Sequence, residues 1–194
     1  MSVNALMNFG FYIVAFTCTA MLLLGYLAVY KNKKSITNKF FFWLTVVFAI
    51  WSILNFFSDK ILDPGISLIV VRLVMCFAVL QAFTFFSLVY VFPRETVIFS
   101  KFYKRLIVPA VIFVSLLTLS PFVFSEVVVK EFGQAPTPTP APGILLFVLV
   151  AIPLVIAGIS LIIIKMVKAR DVEQRIQFKL LLIGVTLMFT LIIV

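Results

Sequence analysis

The sequence contains no histidine, and it has only two cysteines and seven acidic residues. Histidine is the commonest metal ligand and an acid–base group near neutral pH, so its absence excludes bis-histidine haem and a phospho-accepting histidine within this chain. The acidic residues lie in predicted loops, and no glycine-rich phosphate loop is present. We therefore expect no catalytic residues, no metal site and no cofactor, and we do not expect this chain to be an enzyme by itself.

The two cysteines, Cys18 and Cys76, both lie inside apolar runs and form no CxxC pair. Free cysteines in such runs behave as small buried hydrophobic side chains. A disulfide between two helices is the alternative interpretation.

Hydrophobic residues, in contrast, are abundant. They make up 64% of the chain, and the mean hydropathy is +1.25. Soluble domains contain about 45–50% apolar residues, so the excess here must face lipid. The composition predicts an integral membrane protein.

Apolar stretches between the charged segments predict an all-α, polytopic transmembrane bundle that forms a single domain. A hydrocarbon core of about 30 Å needs roughly 20 helical residues. The predicted helices cover residues 9–30, 40–58, 66–92, 106–125, 143–164 and 178–194. The last helix spans only about 22 Å after Lys179, so we expect five full spans and a partial sixth.

Chain-breaking residues lie between the predicted spans. Asp63-Pro64-Gly65 predicts a tight turn between the second and third spans. Residues 126–142 contain the proline-rich stretch "GQAPTPTPAP" and predict an extended, polyproline-like extracytoplasmic loop. This loop is interpreted as a linker, with a ligand-binding lid as the alternative.

Lysine and arginine define a predicted orientation. The net charge is +9, with four basic residues in 31–39, four in 93–105 and five in 165–179. All three segments lie on one side of the predicted bundle, which the positive-inside rule assigns to the cytoplasm. We therefore predict an extracytoplasmic N-terminus in the cytoplasmic (inner) membrane. Nucleic acid is not an expected partner because the charges punctuate apolar runs and form no single basic stripe.

This orientation also predicts something about the C-terminal end. Six spans that begin outside end outside, whereas a seventh would return the chain to the cytoplasm. We therefore expect the sequence to be part of a longer protein whose seventh helix and output domain follow Val194, with a degenerate sequence as the alternative.

Four polar residues within the predicted spans are candidates for a ligand-binding or packing face, because polar groups are costly in lipid. Arg72 either extends to the outer interface or faces inward, where it binds an anionic ligand or pairs with Asp59 or Asp63. Gln81 is predicted to hydrogen-bond across helices, with substrate contact as the alternative. Trp51 and Asn55 share a helix face at i, i+4.

Small residues in the last two predicted spans, including Gly158 and Ser160, permit close helix approach. The charged segment before the sixth span places Asp171 and Arg175 at i, i+4. That spacing would support a helical cytoplasmic extension of the sixth span.

Several landmarks occur in a familiar order. "FWLTVVFAIWSILNFFSD" is followed by a span that starts near Arg72 and ends in "SLVYVFPRE", and later by "RIQFKLLLIG". This order resembles the N-terminal seven-transmembrane sensor region of bacterial membrane histidine kinases and diguanylate cyclases. The resemblance implies a cytoplasmic hinge motif before the sixth helix. The matching residues are Arg175, Gln177, Leu180, Leu181, Leu182 and Gly184.

We therefore predict a membrane-embedded sensory input domain of a histidine-kinase-like receptor, without its output domain in this chain. A small multi-pass transporter or permease-like protein is the alternative, and a structural or assembly role is a third. The expected partners are the lipid bilayer, an unidentified small ligand or membrane stimulus, and a second copy of the chain in a homodimer.

Overall fold

The computed structural model describes residues 3–94, 96–129, 134–169 and 171–193, and it describes side chains between residues 9 and 183 of these ranges. Within them, long helices dominate. The helices are α1 (Val3–Lys31), α2 (Ile36–Ser58), α3 (Pro64–Val91), α4 (Val108–Thr118), α5 (Ile144–Lys168) and α6 (Val172–Ile193). A π-helical turn at Tyr103–Ile107 leads into α4, and two short strands, β1 (Phe124–Val128) and β2 (Thr137–Pro140), lie between α4 and α5.

Four helical segments are long and apolar enough to cross a membrane, among the residues whose side chains are described: Phe9–Lys31, Ile36–Ser58, Pro64–Val91 and Ile144–Lys168. The prediction of an all-α membrane protein is therefore confirmed. The partial sixth span predicted at 178–194 lies largely beyond the side chains that the structure describes.

The helix predicted at 106–125 differs most from the structure. Helical backbone starts earlier, at Lys101, and continues through the turn at Tyr103, but α4 ends at Thr118. The amides of Leu119 and Ser120 close the last turn on the carbonyls of Leu116 and Leu117. Pro121 follows and has no amide hydrogen to continue the helix. The chain then turns into β1, so this segment is shorter than a full predicted span.

Capping residues explain why α2 and α3 start before their predicted positions, 40 and 66. Ser35 accepts a hydrogen bond from the amide of Asn38 at 3.4 Å, and Asp63 accepts one from Ile66 at 2.8 Å. Pro64 occupies the first turn of α3, where its missing amide hydrogen costs nothing. The Asp63-Pro64-Gly65 segment predicted as a turn is thus the capped start of α3.

The charged segment predicted between the last two spans is mostly helical. α5 continues to Lys168 and α6 begins at Val172, six residues before the predicted 178. Asp171 accepts a hydrogen bond from the amide of Glu173 at 3.2 Å, and this bond satisfies one of the free amides at the start of α6.

Helix α3 is the centre of the bundle. It packs against α2, α4, α5 and β1, while α1 packs on α2 and α6 packs on α5. One core cluster contains Val79, Val111 and Leu154 from α3, α4 and α5. A second contains Phe85 of α3 and Ile162 of α5 with Phe178 of α6. The central helix therefore packs directly on α2, α4, α5 and β1, and it shares the second cluster with α6.

The proline-rich segment is extended, and it forms an antiparallel pair with β1. Phe124 lies opposite Pro140 and Val128 opposite Thr137, with an irregularity between Phe124 and Glu126. Proline is tolerated here because each strand of a two-stranded sheet has a free edge. The amide of Gly143 closes the segment on the carbonyl of Phe122 at 2.7 Å. A Cβ at Gly143 would lie 2.5 Å from that carbonyl oxygen, so the closure requires glycine.

Candidate functional site: the two ends of helix α3

Arg72 anchors the strand pair to the first part of α3. Its Nε and Nη2 atoms donate hydrogen bonds to the carbonyl oxygen of Phe124, at 3.3 and 2.7 Å. A guanidinium offers several donors in a fixed plane and is suited to this paired contact. Phe124 itself is buried beside Val71 and Val123. Arg72 therefore fixes the start of β1 on α3.

The structure shows no pairing of Arg72 with Asp59 or Asp63, whereas its extension to the outer interface and its binding of an anionic ligand stay predictions. Asp59 forms a salt bridge with Lys60, with 2.8 Å between Nζ and Oδ1, and Asp63 caps α3. Neither carboxylate is paired with Arg72. The sequence gives no signal for this partner, because it depends on where the chain after α4 returns to α3.

The other three polar candidates do not form one cluster with Arg72. Asn55 is exposed on α2, and Gln81 is half-buried on α3 more than two turns beyond Arg72. Trp51 packs its ring against Phe48, with 6.0 Å between ring centroids. Within the described part of the chain, no hydrogen bond joins any two of the four residues. A ligand role for this face stays a prediction.

Three buried polar atoms have no hydrogen-bond partner among the described residues: Trp51 Nε1, Ser67 Oγ and Ser115 Oγ. Ser67 is fully buried near the start of α3. Unsatisfied buried polar groups are uncommon in folded proteins. Among the four candidate residues, Trp51 therefore differs from the others in having a buried polar atom, its indole nitrogen, without a described hydrogen-bond partner.

Lys165 of α5 caps the opposite end of α3. Its ammonium group donates to the carbonyl oxygens of Val89, Tyr90 and Phe92 at 2.7, 2.9 and 2.6 Å. The last carbonyls of a helix have no partner within the helix and carry partial negative charge. One lysine thus satisfies three of them and ties the end of α5 to the end of α3. The sequence indicates Lys165 only as one charge of a basic loop, because the partner carbonyls lie 73 to 76 residues away in the chain.

An aromatic cluster holds the segment that follows α3. Tyr103 is buried, and its hydroxyl hydrogen-bonds Ser87 Oγ of α3 at 2.7 Å. Its ring stacks on Phe99, with 4.5 Å between centroids, and on Tyr90, with 5.6 Å. Thr37 of α2 donates to the carbonyl of Arg94 at 2.7 Å. The starts of α2 and the π-helical turn therefore meet the end of α3.

The predicted hinge residues lie at this same end. Arg175 donates to the carbonyl of Ala169 at 3.4 Å, and the only ion pair within the described residues is elsewhere, so Asp171 is not its salt-bridge partner. Gln177 is exposed and lines a cavity of about 420 Å³ with Thr37 and Asn38 of α2. Gly184 lies within α6, but outside the residues whose surroundings the structure describes.

Phe178 packs the start of α6 against the segment that follows α3. Its side chain is 3% exposed and meets the ring of Phe92 edge-on, with 5.3 Å between centroids. The start of α2, residues 92–94 and 96–103, and residues 165–169 and 171–178 thus lie around one end of α3, and much of the chain's basic charge falls in the same parts of the sequence. The strand pair and the Lys60–Asp59 pair lie at the other end.

The two cysteines are both buried and free. Cys18 of α1 donates to the carbonyl of Ala49 in α2 at 3.7 Å, a packing contact between these helices. Among the described residues, no three histidine, cysteine or acidic side chains lie close enough to hold a metal ion.

A family model matches residues 13–194, which is nearly the whole chain; its description is "N-terminal 7TM region of histidine kinase". The chain belongs to this family. The predicted resemblance to the sensor region of histidine kinases is therefore confirmed, and the family is a non-catalytic input region. The chain has no match among the curated proteins or the solved structures.

Membership of the histidine kinase 7TM region and the apolar helices together make this a membrane protein of signal transduction. The hydrogen bonds of Arg72 attach the segment between α4 and α5 to one end of α3. Those of Lys165 attach the end of α5, just before the charged segment that leads into α6, to the other end.

Proposed function

We propose that this chain is the membrane-embedded sensory input domain of a histidine kinase system. The N-terminus and the strand pair face the outside of the cytoplasmic membrane, and the three basic segments face the cytoplasm. The distribution of basic residues supports this orientation, because cytoplasmic loops are enriched in lysine and arginine. The family supports the sensory role.

One observation supports the mechanism: a cationic side chain makes hydrogen bonds to a neighbouring segment at each end of α3. Arg72 holds β1 near its start, and Lys165 holds the end of α5 at its finish. The helix has 28 residues, a length of about 42 Å. In this proposal α3, packed on three other helices, moves as a rigid body.

A stimulus at the outer end would act by changing how β1 and β2 pack on α3. Ligand or membrane state can shift such a protein only by favouring one of two packing arrangements. A small displacement of α3 would move Val89, Tyr90 and Phe92, and with them Lys165 and the end of α5. Phe178 contacts Phe92, so the start of α6 would follow. Arg175 and Gln177, in the predicted hinge, would present the change to the output region.

The partners that we propose are the bilayer, a second copy of the chain, and an unidentified ligand or membrane stimulus. The exposed apolar side chains along the candidate spans support contact with lipid. Examples are Phe16, Trp43 and Ile69, which are 77%, 57% and 57% exposed.

The test is a reporter fusion in which this chain, followed by a helical linker, is joined to a histidine kinase catalytic region. Arg72→Met removes both donors to Phe124 and should change autophosphorylation several-fold. Glu126→Gln changes a charge on the same exposed strand without altering any hydrogen bond that the structure describes, and should leave autophosphorylation unchanged.

Equal autophosphorylation in the parent and Arg72→Met fusions would contradict the proposed coupling. The transporter alternative makes a different prediction for purified chain in sealed vesicles. Substrate flux that depends on Arg72 or Gln81, together with unresponsive fusions, would favour a transporter.

A further inference from the structure

A basic pocket lies where the ends of α3, α5 and the start of α6 meet. It has a volume of about 300 Å³ and is open to the surface. Arg94, Lys165, Lys168 and Gln174 form its polar wall, and Phe92, Ala169 and Phe178 form its apolar wall. The pocket is built by three separate segments, so the fold, and not one run of basic sequence, brings its charges together.

The three cations have different roles. All three donors of Lys165 are used by the carbonyls of α3, so this residue contributes positive charge but no free hydrogen. Arg94 and Lys168 are exposed, and their side chains make no hydrogen bond or ion pair that the structure describes. Their donors are therefore free to bind a ligand beside the charge of Lys165.

Positive charge from three side chains would be self-repulsive without an anion. The salt bridge formed among the described residues is Lys60–Asp59, at the other end of the bundle. A phosphate group matches the site because its oxygens accept several charge-assisted hydrogen bonds, from a planar guanidinium in particular. The amide of Gln174 adds another donor.

The apolar wall indicates what else the ligand carries. Phe178 is 3% exposed and Ala169 is 8% exposed, and the Phe92 ring contacts Phe178. A ligand with an anionic head and an apolar body would contact both walls. Basic pockets between membrane helices on the cytoplasmic side suit anionic lipid headgroups.

We infer that the pocket formed by Arg94, Lys165, Lys168 and Gln174 binds the phosphate group of an anionic phospholipid, with a soluble phosphate compound as the alternative source of the same chemistry. This site does not depend on the proposed sensory role, but the choice of a lipid headgroup rests on the proposed orientation, which places the pocket on the cytoplasmic side. The bound phosphate would hold the 92–94 segment against α5 and α6.

The experiment uses the whole purified chain, stripped of lipid in detergent, and measures binding of phosphatidylglycerol and phosphatidylcholine by native mass spectrometry. We expect phosphatidylglycerol to bind more tightly. Removing one cation at a membrane surface should weaken binding about five-fold, so Arg94→Gln with Lys168→Gln should weaken it by more than ten-fold. Both side chains are exposed, so the variant should keep its thermal stability.

The matched control is Lys39→Gln with Lys101→Gln, which removes two exposed lysines from neighbouring basic segments outside the pocket. Binding should change little in this control. An equal loss of binding in the control and pocket variants would show only diffuse electrostatic attraction. No loss in either would show that the cations of the pocket do not bind the lipid. Either result would overturn the site.

A third arm separates the two phosphate sources. If millimolar inorganic phosphate leaves phosphatidylglycerol bound, the lipid is the ligand of the pocket. If it displaces the lipid from the parent chain, and the pocket variant loses phosphate binding, the site takes soluble phosphate compounds. If the parent chain and the pocket variant bind phosphatidylglycerol equally and also bind phosphate equally, the inference is refuted, whatever the reporter fusions show.

Discussion

At the residue scale, the contacts of Arg72 and Lys165 show how a chain with few carboxylates places its cations. Each of the two donates to backbone carbonyl oxygens and not to an acidic side chain. Hydrogen bonds from charged donors are stronger than neutral ones, and they are strengthened where water is scarce. These bonds join segments more than 50 residues apart in the sequence.

Lys165→Met should destabilise the chain by about 2 kcal/mol, because three carbonyls at the end of α3 lose a charged donor. Methionine keeps much of the side-chain volume, so the effect is that of the ammonium group. The measurement is the shift in thermal unfolding in detergent. Lys168→Met on the same helix is the control, and a shift as large in this exposed position would refute the capping role.

Ser87 and Tyr103 should be coupled, because each hydroxyl is the other's partner in a buried site. Ser87→Ala and Tyr103→Phe should each cost about 1–2 kcal/mol, since either change leaves one hydroxyl unsatisfied. The double variant should cost less than the sum of the two. Additive losses of unfolding free energy would show that the hydroxyls do not interact.

Some residue roles were accessible from the sequence and others were not. Asp63 before Pro64 has the pattern of a helix cap and was interpreted as a turn. The partner of Arg72 was out of reach, because the carbonyl of Phe124 is brought to α3 only by the return of the chain after Pro121. Lys165 was assigned to a loop because the apolar run before it gave no sign that α5 continues for another turn.

At the element scale, the close packing of α3 on α5 depends on a small residue. A Cβ at Gly158 would lie 2.6 Å from Cε1 and 3.1 Å from Cδ1 of the Phe85 ring. Phe85 is buried in the cluster that includes Ile162, so its ring has little space to move. The sequence prediction that Gly158 permits close helix approach agrees with this contact.

Gly158→Ala should therefore destabilise the chain by about 1–3 kcal/mol through overpacking of Phe85, even though alanine favours a helix. Thermal unfolding in detergent measures the effect. Ser160→Ala, two residues along and exposed on α5, is the matched control. A stabilised Gly158→Ala variant would mean that Phe85 yields and that the contact is loose.

Charge-free apolar runs predicted long helices in the regions where the structure has α1, α2, α3 and α5, because apolar length is a property of the sequence alone. The helix ends were less accessible. Caps at Ser35 and Asp63 extend α2 and α3 beyond their apolar runs. Pro121, in contrast, lies within the apolar run at 106–125 and ends the helix there. The strand pair depends on contacts between residues 124–128 and 137–140, which no local pattern specifies.

At the scale of the whole molecule, the two ends of the bundle differ in charge, and the proposed orientation rests on this difference. Arg94, Lys165 and Lys168 lie at one end, and the strand pair lies at the other. If the basic end is cytoplasmic, the strand pair is outside.

Single cysteines in a Cys18→Ala, Cys76→Ala background test this orientation in intact cells. A cysteine at exposed Thr139 of β2 should react with a membrane-impermeant maleimide, whereas one at exposed Thr96 should react only after the membrane is opened. Cells that express each variant to the same level provide the comparison. The reverse pattern of labelling would overturn the orientation.

The central claim is that a change at the outer end of α3 reaches the hinge before α6, and one labelling measurement tests it. A cysteine at Gln177, in the same cysteine-free background, reports access to the cavity between α2 and α6. We expect Arg72→Met to change the rate of maleimide labelling at this position at least several-fold, Lys165→Met to change it as well, and Glu126→Gln to leave it unchanged. If Arg72→Met leaves this labelling rate unchanged while the cysteine at Thr139 shows that β2 has been loosened, the two ends of α3 are not coupled.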